Sequence, residues 1–313
     1  MRNHLINELT RLAESDERIC VLTGDLGFHV LDKFQAKFPH RYVNAGIAEQ
    51  NMLSVAAGMA IEGNVVCVYS IGNFPTFRCL EQIRNAACYH NANVKIISTG
   101  CGFVYGQLGM THHATEDIAV MRALPGMRIF SPADPDEAVA VMDAAVAMDG
   151  PCYIRLGRGG EPRYHPYLKK FGISQPIELR RGKDLAIFAT GSILGEALAA
   201  ADTSKVHGVD VGVYNCVMLK PFDSTGFLDI ARNYKMVFSL EEHNVVGGLG
   251  GILAEALATA DGDKPRLVRC GLQDVFTTVV GTAAYLRDHY GLSAKALEST
   301  LAENVPIARD GGS

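Results

Sequence analysis

The sequence of 313 residues lacks the features that mark membrane-spanning, secreted and nucleic-acid-binding chains. Its apolar runs are too short or too often interrupted by glycine to span a bilayer, and its first residues lack the apolar core of a signal peptide. It has no lysine- or arginine-rich block, and its formal net charge is −5, which argues against nucleic acid as a main partner. We therefore expect a cytoplasmic protein that binds neither a membrane nor a nucleic acid.

Cysteine pairs of the C-x-x-C type are also absent. The eight cysteines are scattered, and several of them lie in apolar stretches. This distribution predicts buried free thiols in a reducing compartment and favours neither disulfide bonds nor a zinc site. His112-His113-x-x-Glu116-Asp117 has the residue types of a metal site, but no third histidine is placed nearby. We expect no metal site in this chain.

The composition supports large apolar cores, since 48% of the residues are hydrophobic and 20% are charged. The length predicts about two domains, and strand and helix patterns alternate along the chain, which is typical of parallel sheets. We predict an α/β fold with two three-layer domains on parallel sheets, residues 1–160 and 183–313. A glycine- and proline-rich linker, 161–182, joins them. Residues 74–90 are predicted as one helix with Pro75 near its first turn.

Glu49 stands where a short strand, 42–43, meets an apolar helix that continues through Ile61. An ionised carboxylate is costly to bury without a partner. The helix N-terminus can compensate part of that cost, and so can a ligand that donates a hydrogen bond. Glu49 is therefore either an ordinary residue that complements the helix dipole or a ligand-binding carboxylate.

Other residues with useful chemistry follow predicted strands. Asp25 ends a strand, and the carboxyl ends of parallel strands line the ligand crevice of such sheets; the alternative is a turn residue that caps the next helix. Phe74 and Phe77 stand at the predicted head of a helix, where an aromatic ring can stack on a planar heterocycle or simply pack in the core.

A glycine-rich loop carries His112 and His113, and two histidines in such a loop suit proton transfer or substrate hydrogen bonding. Arg158 lies among glycines after the last strand of the first domain, where it can bind an anion or form a structural ion pair. The glycines of residues 246–251 look like a dinucleotide turn but lack the complete G-x-G-x-x-G pattern, so a glycine-rich helix start is favoured.

Four motifs, taken together, resemble the pyrimidine-binding and C-terminal domains of transketolase. They are Gly46-Ile-Ala-Glu49-Gln50-Asn-Met, Glu81-Gln82-Ile83-Arg84, Gly109-Met-Thr-His112-His113-x-x-Glu116-Asp117 and Ser131-Pro-Ala-Asp134. Much of the pattern is also similar to 1-deoxyxylulose-5-phosphate synthase. The resemblance covers nearly the whole chain and implies that thiamine diphosphate is the cofactor, with its pyrimidine end bound here.

The resemblance also implies roles for individual residues. Glu49 matches the family glutamate that hydrogen-bonds the aminopyrimidine ring, and His112 matches a loop residue that contacts the substrate carbonyl or hydroxyl. These two are the expected catalytic residues. The other positions expected at the cofactor are Asp25, Ile47, Phe74, Phe77 and Gln82. The expected substrate ligands are Arg2, His29, His113 and Arg158.

Four positions depart from the family pattern. Gly72 falls where the family has the phenylalanine that stacks on the pyrimidine, so Phe74 or Phe77 must substitute for it. Gln107 and Leu108 replace an acidic pair that recognises aldose hydroxyls. A histidine of the family phosphate site falls at Gly100, which implies a substrate other than an ordinary pentose phosphate.

The Gly-Asp-Gly motif that binds the diphosphate and Mg²⁺ in full-length transketolases is missing. The chain therefore resembles the β subunit of a split transketolase, active only in an α₂β₂ assembly whose α subunit holds Mg²⁺. Such an enzyme moves a two-carbon ketol unit from a ketose or ketose-phosphate donor to an aldose acceptor. The alternatives are a subunit similar to 1-deoxyxylulose-5-phosphate synthase or to the E1β chain of 2-oxoacid dehydrogenases, a non-catalytic subunit, and a nucleotide-binding dehydrogenase.

Overall fold

Two β-sheets organise the residues that the computed structural model describes, which are 1–164, 172–206 and 208–304. The strands are β1 (Ile19–Thr23), β2 (Tyr42–Asn44), β3 (Val65–Ile71), β4 (Val94–Thr99), β5 (Arg128–Phe130), β6 (Cys152–Leu156), β7 (Ile177–Arg180), β8 (Leu185–Ala189), β9 (Val211–Asn215), β10 (Met218–Lys220), β11 (Met236–Asn244) and β12 (Arg266–Leu272). The helices are α1 (Arg2–Ser15), α2 (Asp32–Lys37), α3 (Glu49–Ile61), α4 (Leu80–Gln82), α5 (Asp117–Arg122), α6 (Pro135–Ala147), α7 (Leu194–Val206), α8 (Ser224–Ala231), α9 (Leu249–Thr259), α10 (Ala283–His289) and α11 (Ala294–Asn304).

Both sheets are parallel except at one edge each. The strand order of the first sheet is β10-β5-β6-β4-β3-β1-β2, and that of the second is β12-β11-β8-β9-β7. The exceptions are β10, which pairs antiparallel with β5, and β7, which pairs antiparallel with β9. The α/β class predicted from the sequence is therefore correct, with these two short edge strands as additions.

The apolar cores explain why the strands are continuous runs of hydrophobic residues. Val21 and Leu22 are neighbours in β1, yet they point to opposite faces and fall in different cores. One core lies against α1 and α6, and the other joins both sheets with α3 and α9. Strands covered on both faces need no polar alternation, which is the pattern that the sequence shows.

The second half of the chain completes the first sheet. Strand β10 lies at its edge, where Met218 pairs with Phe130. Strand β7 falls within the predicted linker but belongs to the second sheet. Residues 165–171 of the linker and the terminal residues 305–313 lie outside the described residues. The domain boundaries at 160 and 183 stay a prediction.

The predicted single helix over residues 74–90 is wrong at its start. The α-helix begins at Leu80, after a short 3₁₀ turn at Phe77–Cys79, and residues Ile83–Cys88 form a π-helix. Pro75 has no N–H to donate and disfavours a helical conformation for the residue before it. The hydroxyl of Thr76 instead donates to the carbonyl of Gly72 at 3.1 Å, which holds this segment in a turn.

Most of the cysteine side chains lie in the interior of the protein. All eight cysteines are free thiols, seven of them buried and Cys88 half-buried, and burial raises the pKa of Cys67 to about 12. Within the described ranges, no helix is long and apolar enough to cross a membrane.

The register places five strand ends in one row. Thr23 pairs with both Asn44 and Tyr69, and Thr99 pairs with both Ile71 and Leu156. The segments that leave these strands carry the residues that the sequence singled out, from Asp25 to Arg158. The parallel sheet thus gathers them along a single edge, as expected for the ligand crevice of this fold.

Candidate active site

Glu49 is the first residue of α3, and its side chain is 5% exposed. The loop before it is held by Asn44, whose Oδ1 accepts hydrogen bonds from the N–H groups of Asp25 (2.9 Å) and Gly46 (3.0 Å). The amide of Asn44 also donates to Asp25 Oδ1 at 3.0 Å. A Cβ atom at Gly24 would lie 3.6 Å from Glu49 Cγ, so the ends of β1 and β2 meet closely at this carboxylate.

The partner of Glu49 is Arg78, a residue that the sequence did not single out. Arg78 Nη1 donates to Glu49 Oε1 at 2.9 Å, and the arginine side chain is 49% exposed. The guanidinium carbon also lies over the ring of Phe74, 4.2 Å from its centroid. The sequence offered one signal for this role, namely that Arg78 lies in the aromatic segment just before Glu81-Gln82.

His112 continues this group of side chains. Its ring meets the ring of Phe74 edge to face, with centroids 5.2 Å apart. The loop is fixed by Asn73, whose amide donates to the carbonyls of Thr111 (3.1 Å) and His113 (3.0 Å). Glu49, Arg78, Phe74 and His112 therefore form a continuous chain of contacts, which we call the Glu49 cluster.

His113 points away from this cluster. Its Nε2 donates to the carbonyl of Gly106 at 3.0 Å, and its Nδ1 accepts from the hydroxyl of Thr277 at 2.6 Å. Burial lowers the pKa of His113, which favours the neutral ring that these two bonds require. Both ring nitrogens are thus engaged, and the role of His113 as a substrate ligand stays a prediction.

A second group of polar side chains surrounds Tyr105. The guanidinium carbon of Arg158 lies 5.8 Å from the centroid of the Tyr105 ring, and both residues line an open cleft of about 400 Å³ that residues 281–283 complete. Burial raises the pKa of Tyr69 to about 12, while the charge of Arg2 lowers it and Tyr105 raises it. Arg2 and Tyr105 therefore both lie near Tyr69.

The remaining predicted residues lie around these two groups. His29 is exposed, and its N–H donates to Asp32 Oδ1 at 3.0 Å. Ile47 is 77% exposed, and Phe77 is half-buried. Gln82 is half-buried, and its Oε1 has no hydrogen-bond partner among the described residues. Of the two phenylalanines that the sequence left open, Phe74 is the one that joins the Glu49 cluster.

The Glu49 cluster fits one end of the cofactor that the sequence implied. A buried carboxylate beside the face of an aromatic ring suits a planar heterocycle with hydrogen-bonding nitrogens, such as an aminopyrimidine. The unpartnered Oε1 of Gln82, on the helix that follows, leaves a further acceptor. In the described part of the chain, no group of three His, Cys, Asp or Glu side chains is placed to hold a metal ion.

Comparison with known protein families shows which family the chain belongs to. Residues 1–161 match the model of the transketolase pyrimidine binding domain, and residues 176–297 match that of the transketolase C-terminal domain. The chain belongs to the transketolase family. The resemblance predicted from the sequence is confirmed, and so is the fold class.

Three known proteins are similar to this chain over most of its length. It is 36% identical over 264 residues to a subunit of the apulose-4-phosphate transketolase of Actinobacillus succinogenes, covering 84% of this chain and 85% of that one. A solved structure described as split gene transketolase, inactive beta4 tetramer, matches with a TM-score of 0.88 and 36% identity over 97% of both chains. A 1-deoxy-D-xylulose-5-phosphate synthase of Rippkaea orientalis is 36% identical, over 85% of this chain and 42% of that enzyme.

The transketolase chain contains a buried ion pair that sequence reasoning did not find. Asp117 Oδ2 accepts from Arg155 Nε at 2.8 Å and from the hydroxyl of Tyr153 at 2.6 Å, and both charged side chains are buried. Arg155 also donates to the carbonyls of Ala114 and Glu242, each at 2.9 Å. Structural ion pairing thus belongs to Arg155, whereas Arg158, three residues later, is exposed.

The glycine-rich start of α9 is occupied by the protein itself. Glu241 is fully buried and accepts hydrogen bonds from the N–H groups of Leu249 (2.6 Å) and Gly250 (2.8 Å). A dinucleotide would place its phosphates at these same donors. The carboxylate of Glu241 therefore disfavours the dehydrogenase alternative in this transketolase chain.

Proposed function

We propose that this chain is the β subunit of a two-component transketolase, which moves a two-carbon ketol unit from a ketose or ketose-phosphate donor to an aldose. The Glu49 cluster carries this proposal, because Arg78 connects a buried carboxylate to an aromatic ring that a histidine also contacts. Support also comes from the apulose-4-phosphate transketolase of Actinobacillus succinogenes, one subunit of which matches this chain across both of its domains.

The pyrimidine end of thiamine diphosphate is bound by Glu49, Phe74, Asp25, Gln82 and Ile47 in this proposal. Glu49 holds a hydrogen bond to a ring nitrogen, and burial keeps that bond in a low dielectric, where it is strong. Phe74 supplies the stacking face that Gly72 cannot. When bound, thiamine diphosphate supplies the electron sink that lets the C–C bond beside a ketose carbonyl break and a two-carbon unit move to an acceptor.

The substrate is bound by residues beyond the cofactor in this proposal. His112 holds a proton near the substrate carbonyl or hydroxyl, in a loop that Asn73 fixes. Arg158 and Arg2 pair with the anionic end of the sugar. His29 lies in the turn that follows β1 and binds the same anionic end of the sugar. His113 supports this end of the site from its buried side.

A partner α subunit completes the site in this proposal, and it holds the diphosphate and Mg²⁺. The solved relative, which is described as a split gene transketolase and an inactive beta4 tetramer, supports this division. The working enzyme is then an α₂β₂ assembly, which we place in the cytoplasm because the eight free thiols of this chain suit a reducing compartment.

Substitution of Glu49 tests the proposal. The chain is combined with its copurifying α partner and assayed for ketol transfer from ketose phosphates to aldoses. We expect Glu49→Ala to lower kcat by about a hundredfold or more, since general acid–base groups contribute that much. Glu62→Ala, at the exposed C-terminal end of the same helix, is the control and should keep full activity. Full activity in Glu49→Ala would show that the chain is a non-catalytic subunit.

A 1-deoxyxylulose-5-phosphate synthase-like reaction is the second candidate, because the synthase of Rippkaea orientalis is as identical to this chain as the split transketolase is. The donor discriminates between the two. Turnover of a ketose without pyruvate supports a transketolase, whereas a strict need for pyruvate supports the synthase or an E1β-like subunit.

A further inference from the structure

The guanidinium of Arg78 makes the two contacts that the cofactor ring needs. It donates to Glu49 Oε1 at 2.9 Å, and its central carbon lies over the Phe74 ring at 4.2 Å from the centroid. Glu49 and Phe74 are also the residues expected to bind and stack the pyrimidine. The guanidinium of Arg78 and the pyrimidine would therefore compete for the same carboxylate oxygen and the same ring face.

We propose that Arg78 stands in for the aminopyrimidine in the free chain and must leave before the cofactor binds. This inference rests on the proposed function, since it takes Glu49 as the pyrimidine ligand. Arg78 thereby lowers the affinity of the isolated chain for the pyrimidine and links loading to assembly.

The chemistry of the two groups explains the substitution. A guanidinium is planar, carries N–H donors in its plane and stacks on aromatic faces. An aminopyrimidine shares the plane and the in-plane donors. Stacked groups approach to van der Waals distance, so the space over Phe74 that faces Glu49 can hold one of them at a time. A lysine ammonium would satisfy the charge of Glu49 but not the stacking face.

The difference in burial decides which residue moves. Glu49 is 5% exposed and is fixed at the head of α3, whereas Arg78 is 49% exposed on a flexible side chain. Arg78 satisfies a carboxylate that would be costly to leave buried and alone. A half-exposed ion pair and a cation–π contact are both modest interactions, so the arginine can be displaced.

Because Arg78 must be displaced, assembly with the partner subunit helps the cofactor to bind. A site whose competent form is a small fraction binds its ligand with an affinity reduced by that fraction. In the isolated chain, Arg78 occupies the carboxylate oxygen and the ring face that the pyrimidine would contact. Once the partner subunit holds the diphosphate, the pyrimidine is presented at high local concentration and outcompetes the arginine.

The test uses the isolated full chain and a pyrimidine without the diphosphate. The probe is 4-amino-5-hydroxymethyl-2-methylpyrimidine, titrated by calorimetry into the wild type, Arg78→Ala and Arg84→Ala. Arg84 is the matched control, because it is an exposed arginine on the following π-helix that donates to Asn85. We expect Arg78→Ala to bind the probe about tenfold more tightly than the wild type, or about 1.4 kcal/mol. Arg84→Ala should match the wild type.

Two further variants keep the result interpretable. Arg78→Lys should bind the probe with an affinity between those of the wild type and Arg78→Ala, because it keeps the charge and loses the plane. Adding Glu49→Gln to Arg78→Ala should remove the gain. The proposal is overturned if Arg78→Ala binds the probe no more tightly than the wild type, or if no variant binds it.

Its failure is distinguishable from failure of the proposed function. If the α–β complex binds thiamine diphosphate in a Glu49-dependent way while Arg78→Ala leaves the probe affinity unchanged, only the stand-in role of Arg78 is wrong. If the complex performs ketol transfer equally well with Glu49→Ala, the proposed function itself is wrong.

Discussion

Glu49 Oε1 lies 2.9 Å from Arg78 Nη1, and the two residues come from different elements, the head of α3 and the turn that follows β3. The carboxylate expected to bind the cofactor is therefore neither exposed nor unpaired. It is buried and paired with Arg78, which also contacts Phe74, so the residues that we propose for the pyrimidine end are gathered within the single chain.

Two phenylalanines provide a matched test of the stacking face. Phe74 contacts both Arg78 and His112, whereas Phe77 lies three residues further along in the 3₁₀ turn. An aromatic stack is worth about 0.5–1.5 kcal/mol beyond its buried area. Phe74→Ala should therefore weaken thiamine diphosphate binding by the α–β complex about tenfold, and Phe77→Ala should change it less than about twofold. Equal losses in a cofactor titration would contradict the assignment.

Arg155 and Arg158 should separate stability from substrate binding. Arg155→Met leaves Asp117 as a buried charge without its cation, which costs about 3–5 kcal/mol of unfolding free energy. Arg158→Met should change stability by less than about 0.5 kcal/mol, as exposed substitutions usually do. It should instead raise KM for a phosphorylated ketose about tenfold, because charge-assisted hydrogen bonds contribute about 1.5–3 kcal/mol. Urea denaturation and initial-rate kinetics measure the two effects, and a reversed pattern would exchange the two roles.

Gly100 and Tyr105 should behave as a packed pair. A Cβ atom at Gly100 would lie 1.9 Å from Tyr105 Cε2, and the φ of Gly100 is +82°. Gly100→Ala should therefore cost about 2–4 kcal/mol, the sum of backbone strain and overpacking.

Gly63→Ala is the control, because Gly63 also has a positive φ but has open space around it; it should cost about 1–2 kcal/mol. Adding Tyr105→Ala to Gly100→Ala should recover part of the loss. If the double variant is as unstable as the sum of the two single variants, the clash is not the cause.

His243 should make stability depend on pH. It is fully buried, its Nδ1 donates to the carbonyl of Asn244 at 2.6 Å, and burial lowers its pKa from 6.5 to about 4. Between pH 6.5 and 4, the unfolded chain therefore binds a proton at His243, whereas the folded chain does not. Stability from this group is complete above pH 6.5 and falls with decreasing pH by about 1.4 kcal/mol per unit.

His243→Asn provides the comparison, since asparagine can donate a hydrogen bond but cannot titrate. Urea denaturation at a series of pH values should show a slope smaller by one proton in this variant between pH 6.5 and 4. Equal slopes in the two proteins would show that His243 is protonated in the folded state.

The sequence predicted the parts of the site that depend on local pattern. Glu49 and Asp25 follow buried strands, and a parallel sheet brings such positions to one edge whatever the detailed packing. The fold class followed from the same alternation. Strands β7 and β10 were missed because each is short and gains its pairing from a distant segment, as when Met218 meets Phe130.

Arg78 could not be predicted, because its position depends on where the chain turns. A helix over residues 74–90 would have placed Phe74 and Arg78 one turn apart on its surface, away from Glu49. Pro75 and the hydroxyl of Thr76 prevent that helix. The amide of Asn73 then ties the segment to carbonyls of residues 111 and 113, nearly forty positions later, which no local pattern reveals.

A titration with thiamine diphosphate tests the central claim, that this chain holds half of a site shared with a partner, most directly. The isolated chain and an equimolar mixture with its α partner are titrated in the presence of Mg²⁺. The account predicts affinity in the mixture at least about a hundredfold tighter than that of either chain alone, because the two ends of the cofactor are then held together. Tight binding of thiamine diphosphate by the isolated chain would contradict it.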